Sequence, residues 1–226
     1  MTNNILFFIS IFVGYGLALG FFRLFGKAGL YAWVSFAVVI ANIEVIECVD
    51  LFGMAVTLGN VVYCTINLAT DILSENWGER EGRRAVWLGF CSLFAAVILV
   101  RLALLFTPNE SDFAAPALRT IFDVVPRVAV ASLVSMLICN LLNTRLYALI
   151  SRRTTHIWLR SGISTFTSQL LDSFLFTFAA FLGIFDLRTC IELSLTTFLL
   201  KGIIALFEIP SAYLGKRIYK SSIAQL

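Results

Sequence analysis

A chain of 226 residues that is 59% hydrophobic and only 14% charged, with a mean hydropathy of +0.90, is too apolar for soluble domains, where about half the residues are apolar and a quarter charged. Apolar segments recur from residue 5 to residue 215 with no long polar block between them, which leaves no room for an aqueous enzyme domain. The net charge of +3 says little about partners, because Lys and Arg in a membrane protein chiefly set topology; nucleic acid is not an expected partner.

Apolar windows of about 20 residues predict an all-α polytopic membrane protein with seven transmembrane helices over 5–22, 30–50, 54–74, 85–106, 121–150, 161–185 and 191–215, in one integral membrane domain spanning 1–226. The first segment has no basic residue before it, and Arg23, Leu24 and Phe25 follow it in place of a small-residue cleavage site. It is therefore expected to be retained. A six-span core with this first segment lying in the interface is the rival arrangement.

The basic residues vote on orientation. Arg23, Lys27, Arg80, Arg83, Arg84, Arg152, Arg153, Arg160, Lys216, Arg217 and Lys220 follow the odd-numbered spans, whereas the opposite loops carry only Arg119 and Arg188. The positive-inside rule then puts the N-terminus outside and the C-terminus in the cytoplasm. Pro108 and Pro116 mark the outer loop after the fourth span, and no internal repeat of the inverted-transporter kind is visible.

Ionisable residues within a span cost about 2.5 to 3.5 kcal/mol each by insertion scales, so each needs a partner or a wet cavity. Here Glu44 and Glu47 fall in the second span, Asp71 in the third, Arg101 in the fourth, Arg127 in the fifth, Asp172 in the sixth, and Lys201 with Glu208 in the seventh. Helical spacing sorts polar residues into stripes. Asn60, Tyr63, Cys64, Asn67 and Asp71 form one, Thr165, Gln169 and Asp172 a second that Phe176 continues, and Ser194, Thr197, Lys201 and Glu208 a third, with Pro210 a predicted kink just beyond. Asn42 and Glu44 stand about 200° apart on an ideal helix, so they face different ways. Any single Asn, Ser or Thr is most simply interhelical glue, but three polar stripes, together with five acids and three bases within the spans, point to a solvated or ligand-filled interior. Arg101 is read as snorkelling to the outer interface. Glu75 and Glu79 are expected to pair with Arg83 and Arg84 in a charged cytoplasmic turn.

Several chemistries are disfavoured. No GxxxxGK[ST] loop is present, so the chain itself does not hydrolyse ATP through one. The single histidine, His156, is a surface loop residue that permits no His-Glu-x-x-His zinc site. Cys48, Cys64, Cys91, Cys139 and Cys190 show no CxxC spacing and read as buried small hydrophobes rather than disulfides or metal ligands. No catalytic residue, metal or cofactor is expected.

Four segments, Leu68-Ala-Thr-Asp-Ile-Leu-Ser-Glu-Asn-Trp-Gly, Pro126-Arg-Val-Ala-Val-Ala-Ser, Ser164-Thr-Phe-Thr-Ser-Gln-Leu-Leu-Asp-Ser and Lys201-Gly-Ile-Ile-Ala-Leu-Phe-Glu-Ile-Pro, together resemble the queuosine precursor transporter family, also called the vitamin uptake transporter family. They occur in the family's order over residues 31 to 215, and 5–22 is similar to an extra N-terminal helix of some relatives. The resemblance implies import of 7-deazaguanine bases such as preQ1, preQ0 or queuine across the cytoplasmic (inner) membrane, and a six-helix core similar to the substrate-binding subunits of energy-coupling-factor transporters. Glu47 and Glu208 depart from the residues expected of relatives.

A 7-deazaguanine offers adjacent N–H donors, a carbonyl acceptor and a flat apolar face. Asp172, Gln169 and Phe176 match these on one helical face, with Arg127 and Lys201 as further donors. Asn67, Asp71, Asn42 and Glu44 complete the expected binding set, and the excess of acids leans toward a cationic ligand. Membrane lipid and the small molecule are the expected partners, with a second copy of the chain or a separate energy-coupling ATPase left open. A substrate-binding subunit of a multi-component transporter is the runner-up, followed by an intramembrane enzyme using Asp172 or Asp71.

Overall fold

The computed structural model describes residues 2–152 and 157–223, without the side chains at 140, 143, 144, 147, 148, 151, 157–162, 165, 209 and 220–223. Arg153 and His156, and the side chains of Arg160, Thr165 and Lys220, therefore lie outside the described residues. The elements run α1 (Thr2–Glu44), β1 (Cys48–Leu51), β2 (Met54–Thr57), α2 (Asn60–Trp77), α3 (Glu79–Ala103), α4 (Ala115–Ser151), α5 (Ile157–Phe181) and α6 (Leu187–Ile223). Among the described residues α1, α3, Ala115–Cys139 of α4 and Leu187–Glu208 of α6 are long and apolar enough to cross a membrane. The protein is a helical, multi-pass membrane protein.

α1 holds two predicted spans and is broken at Gly26, whose φ of 59° and ψ of −137° lie where an L side chain is strained. The arms 2–25 and 27–44 double back on each other there. A Cβ on Gly29 would sit 2.0 Å from the Phe21 carbonyl oxygen, and the Phe21 and Trp33 rings meet at 5.5 Å across the bend. Only a residue without a side chain lets the two backbones approach this closely.

The second arm stops at Glu44, short of the predicted end at 50, and α2 starts at Asn60 rather than 54. Between them lies an antiparallel hairpin in which Cys48 pairs with Thr57 and Leu51 with Met54. Its two-residue turn, Phe52-Gly53, takes positive φ at both positions, 53° and 79°, the geometry that suits the twist of paired strands. Glu47 thus lies outside any helix. The hairpin is tied to the start of the chain: Asn3 Nδ2 donates to the Asp50 carbonyl at 3.2 Å, the Phe52 N–H donates to Asn4 Oδ1 at 3.0 Å, and the Phe52 ring packs edge-on against Phe7 and Phe8.

The chain divides into two compact units, Met1–Pro126 with Leu200–Leu226, and Arg127–Leu199. In unit 1 the α1 arms pack on α2 and α3 around buried Leu30, Val34, Leu68, Leu73 and Leu93. Trp33 Nε1 donates to Thr65 Oγ1 at 3.0 Å, and Gly82 brings α3 so close to α2 that a Cβ would lie 2.1 Å from Ser74 Oγ. The later half of α6 closes the unit. Tyr15 OH donates to the Ile204 carbonyl at 3.5 Å, and Phe207 packs on Phe8 and Phe12. α6 remains helical through Pro210.

Unit 2 is built from the later part of α4, α5 and the first turns of α6, around buried Val128, Ala129, Phe181, Cys190 and Leu193. Its polar interior consists of small residues, with Ser168 bonding back to the Ser164 carbonyl and Ser194 to the Cys190 carbonyl, which satisfies each hydroxyl within its own helix.

Candidate functional site

Asn42, Glu44, Asn67, Asp71 and Lys201 belong to unit 1, and Arg127, Gln169, Asp172 and Phe176 to unit 2. In unit 1 the α2 and α6 stripes meet. The Lys201 ammonium lies over the Tyr63 ring, 5.5 Å from its centre. Lys201 and Glu208 both act electrostatically on Cys64, and Asp71 acts on Glu208. Asn67 is half-buried on the same helix, while Asp71 is exposed one turn further on. Asn42 donates to the Val38 carbonyl of its own helix at 2.8 Å.

Glu44 belongs to a different feature. A cavity of about 400 Å³ lies within unit 1 where the N-terminus of α1, the hairpin and the first turn of α2 converge. Its polar lining is Asn3, Ser10, Glu44, Glu47, Thr57 and Asn60, and its walls include Leu6, Phe7, Val49, Leu51 and Leu200. No Lys, Arg or His is among the described residues that line it. Glu44 and Glu47 are close enough to repel one another. Thr57 is 3% exposed and Asn60 8%. Asn60 Nδ2 donates to the Thr57 carbonyl at 3.0 Å, but among the described residues nothing bonds the Thr57 hydroxyl or Asn60 Oδ1. The residue before α2 is Gly59, which has no side chain to cap the helix; its backbone N–H is instead bonded by the Glu44 carboxylate, an acid at the helix's positive end. Thr57, Asn3 and Ser10 were not expected in any site. The signal for Thr57 was the hairpin itself, a period-2 pattern around a two-residue turn that is hard to see inside an apolar run.

In unit 2, Asp172 and Phe176 are partly buried on α5 and Gln169 is exposed one turn earlier. The Phe176 ring meets Phe181 edge-on at 6.0 Å. Arg127 does structural work here. Its Nε donates to the Ala179 carbonyl at 2.8 Å and its Nη2 to the Leu182 carbonyl at 2.6 Å, which supplies donors to carbonyls at the end of α5 that have no helical partner. A guanidinium has five N–H groups, so donors remain. At the next turn Asp186 precedes α6; the Thr189 hydroxyl, and after it the backbone N–H groups of Thr189 and Arg188, hold its carboxyl below the usual carboxylate range. This is the N-cap position, where an acid matches the helix dipole.

The charged segment around 75–84 is paired differently from the expectation. Glu81 collects Lys27 at 2.5 Å and Arg84 at 2.8 Å and accepts the Tyr31 hydroxyl at 2.8 Å, while Glu75 pairs with Lys216 at 2.9 Å. Lys27 thus ties α1 to Glu81 of α3 and Lys216 ties α6 to Glu75 of α2, while the Arg84–Glu81 pair lies one turn apart within α3. Arg101 pairs with Asp123 at 3.2 Å, and Arg119 donates to the Leu104 carbonyl just past α3 at 2.9 Å. Among the described residues no group of three or more His, Cys, Asp and Glu is placed to hold a metal ion.

The sequence model of the family described as "Putative vitamin uptake transporter" matches residues 57–215. A "Probable queuosine precursor transporter" of Bacillus subtilis (strain 168) is 41% identical over 220 residues, covering 96% of each chain. No solved structure matches. A family match over most of the chain, joined to a near full-length relative and a helical fold with several membrane-length apolar helices, shows that the chain belongs to the vitamin uptake transporter family.

Proposed function

We propose that the protein imports queuosine precursors, 7-deazaguanine bases such as preQ1, preQ0 and queuine, across the cytoplasmic membrane without altering them chemically. The observation that carries this is the 41% identity, over 96% of both chains, to a relative named as a transporter of such precursors. Seven crossings with the N-terminus outside and a core like that of energy-coupling-factor binding subunits suit the two arms of α1 and the five helices after it, together with the distribution of basic residues. Asp172 accepts the paired N–H donors of the base, Gln169 bonds its polar edge and Phe176 covers its flat face, chemistry that these side-chain types supply. Arg127 is a further donor within unit 2, and within unit 1 Lys201, Asn67 and Asp71 form a polar stripe of their own.

The test is uptake of labelled precursor in a strain that cannot make it, scored by queuosine in tRNA. Expression of this chain should restore the modified base; no gain over the empty vector rejects the reading, and recovery of a chemically changed base would favour an enzyme.

A second reading, a substrate-binding subunit driven by a separate ATPase, is favoured by the exposure of Arg80, Arg83 and Arg84 beside the α2–α3 corner, a surface suited to a partner chain. Purified protein in liposomes decides: uptake without any other chain removes the need for an ATPase, and a copy of the same chain is then the remaining candidate for a protein partner.

A further inference from the structure

We infer that the cavity beneath the β1–β2 hairpin is a docking site for a flat heterocyclic base bearing a primary ammonium group, with Glu44 and Glu47 receiving the cation. The inference rests on the transport reading and narrows its substrate.

The lining dictates the ligand's chemistry. Two carboxylates that repel each other line a space that no basic side chain among the described residues reaches. A cation placed beside them relieves the repulsion and gains charge-assisted hydrogen bonds. The rest of the cavity is suited to something neutral and flat. Phe7, Leu6 and Val49 supply apolar walls, and Asn60 a polar edge for a ring N–H. The Thr57 hydroxyl, 97% buried by the complement of its 3% exposure, lines the same space and has no protein partner among the described residues. A buried hydroxyl left without a partner costs about 1 to 3 kcal/mol, so its position is explained by a polar guest. The volume of about 400 Å³ lies in the range of small-molecule sites. An ammonium group alone would leave most of it empty, and an anion would meet two like charges. The lining of the site lies within unit 1.

The test compares 7-aminomethyl-7-deazaguanine with 7-cyano-7-deazaguanine, which share a ring and differ in charge. Binding to purified full-length protein is measured for wild type, Glu44→Gln/Glu47→Gln and Thr57→Val. The wild type should prefer the amine form by about tenfold or more, as expected for a charge pair at a recognition site. The double variant should lose that preference while its affinity for the cyano form stays within about twofold, one small step on the affinity scale. Thr57→Val should weaken the amine form without affecting the fold. Cys48, exposed next to Glu47, supplies a readout that leaves the lining intact: in a Cys91→Ala background, which removes the other exposed thiol, the amine base should slow its alkylation by maleimide and the cyano base should not. Equal loss of both bases in a monodisperse double variant, retained amine preference, or no protection of Cys48 by the amine base overturns the inference. Failure of the transport reading looks different, since the wild type then binds neither base and restores no queuosine, and the inference falls with it.

Discussion

The ammonium of Lys201 in α6 lies 5.5 Å from the centre of the Tyr63 ring in α2, so residues more than a hundred positions apart close one polar stripe on another inside unit 1. A cation over an aromatic face is held by the ring quadrupole, worth about 0.5 to 2 kcal/mol depending on solvent access. Tyr63→Phe keeps that face and should leave thermal stability in detergent nearly unchanged. Tyr63→Leu should lower stability by about 0.5 to 2 kcal/mol, and equal midpoints for the two variants would show that the ring is not the partner that matters.

Asp172→Asn preserves shape and replaces one acceptor oxygen by a donor. If Asp172 takes both N–H groups of the guanine edge, the loss of a charged hydrogen bond and the new donor-donor clash should cost about 3 kcal/mol or more, over a hundredfold in affinity. Ligand-induced thermal stabilisation of the folded variant measures this. Near-normal binding would remove Asp172 from the site.

Gly26 and Gly29 make separable predictions about the bend in α1. At Gly26 nothing stands where a Cβ would go, so Gly26→Ala pays only for its backbone conformation, about 1 to 3 kcal/mol. At Gly29 the Cβ would meet the Phe21 carbonyl oxygen at 2.0 Å and its carbon at 2.7 Å. Gly29→Ala should therefore be the more damaging, failing to yield monodisperse protein under conditions where Gly26→Ala still does. Size-exclusion profiles of fluorescent fusions rank the two, and the reverse order would contradict the bend.

The Cys48 thiol is reachable by solvent, yet desolvation by the surrounding protein pushes its pKa up. The thiolate is the reactive form, so alkylation should accelerate about tenfold per pH unit below that pKa and should still be rising above pH 8.5, where a free cysteine begins to level off. In a Cys91→Ala background, which removes the other exposed thiol, a membrane-impermeant maleimide should label intact cells, because the proposed orientation puts the hairpin outside. Labelling only after the cells are opened would reverse that orientation.

Glu81 holds Lys27, Arg84 and Tyr31 together. Glu81→Gln removes both ion pairs but leaves an acceptor for the tyrosine, whereas Tyr31→Phe removes one hydrogen bond. The first should lower the thermal midpoint more, and its deficit should shrink at high salt as surface charges are screened. A salt-independent difference would mean that the carboxylate acts through packing.

Much of this was readable from residues. The polar stripe of α2 follows from steps of three and four, a local rule, whereas its meeting with α6 through Tyr63 and Lys201 is a tertiary contact that no spacing within one helix supplies. The angular separation of Asn42 and Glu44 follows from helical geometry alone; Glu44 lines the hairpin cavity and Asn42 bonds within its own helix. The hairpin was not readable in the same way. Residues 48–57 are apolar enough to extend either neighbouring span, and hydropathy cannot separate a short buried strand from a helix end; only the turn at Phe52-Gly53 betrays it. The partners of Glu81 and Glu75 were missed for a related reason. Sequence spacing proposes neighbours within one helix, while Lys27 and Lys216 are brought in by the bend at Gly26 and by the return of α6.

The return of α6 also sets a schedule for synthesis. Unit 2, Arg127–Leu199, is inserted in the sequence of unit 1, whose last segment begins only at Leu200. At about 5 to 20 residues per second, a ribosome needs about 4 to 15 s to make the insert. During that interval the face of α2 that carries Tyr63 and Cys64 is already made but has no α6 to cover it. The nascent chain must therefore be sheltered by the insertion machinery until its final helix arrives, and a stalled or truncated product should be a preferred substrate for membrane quality control.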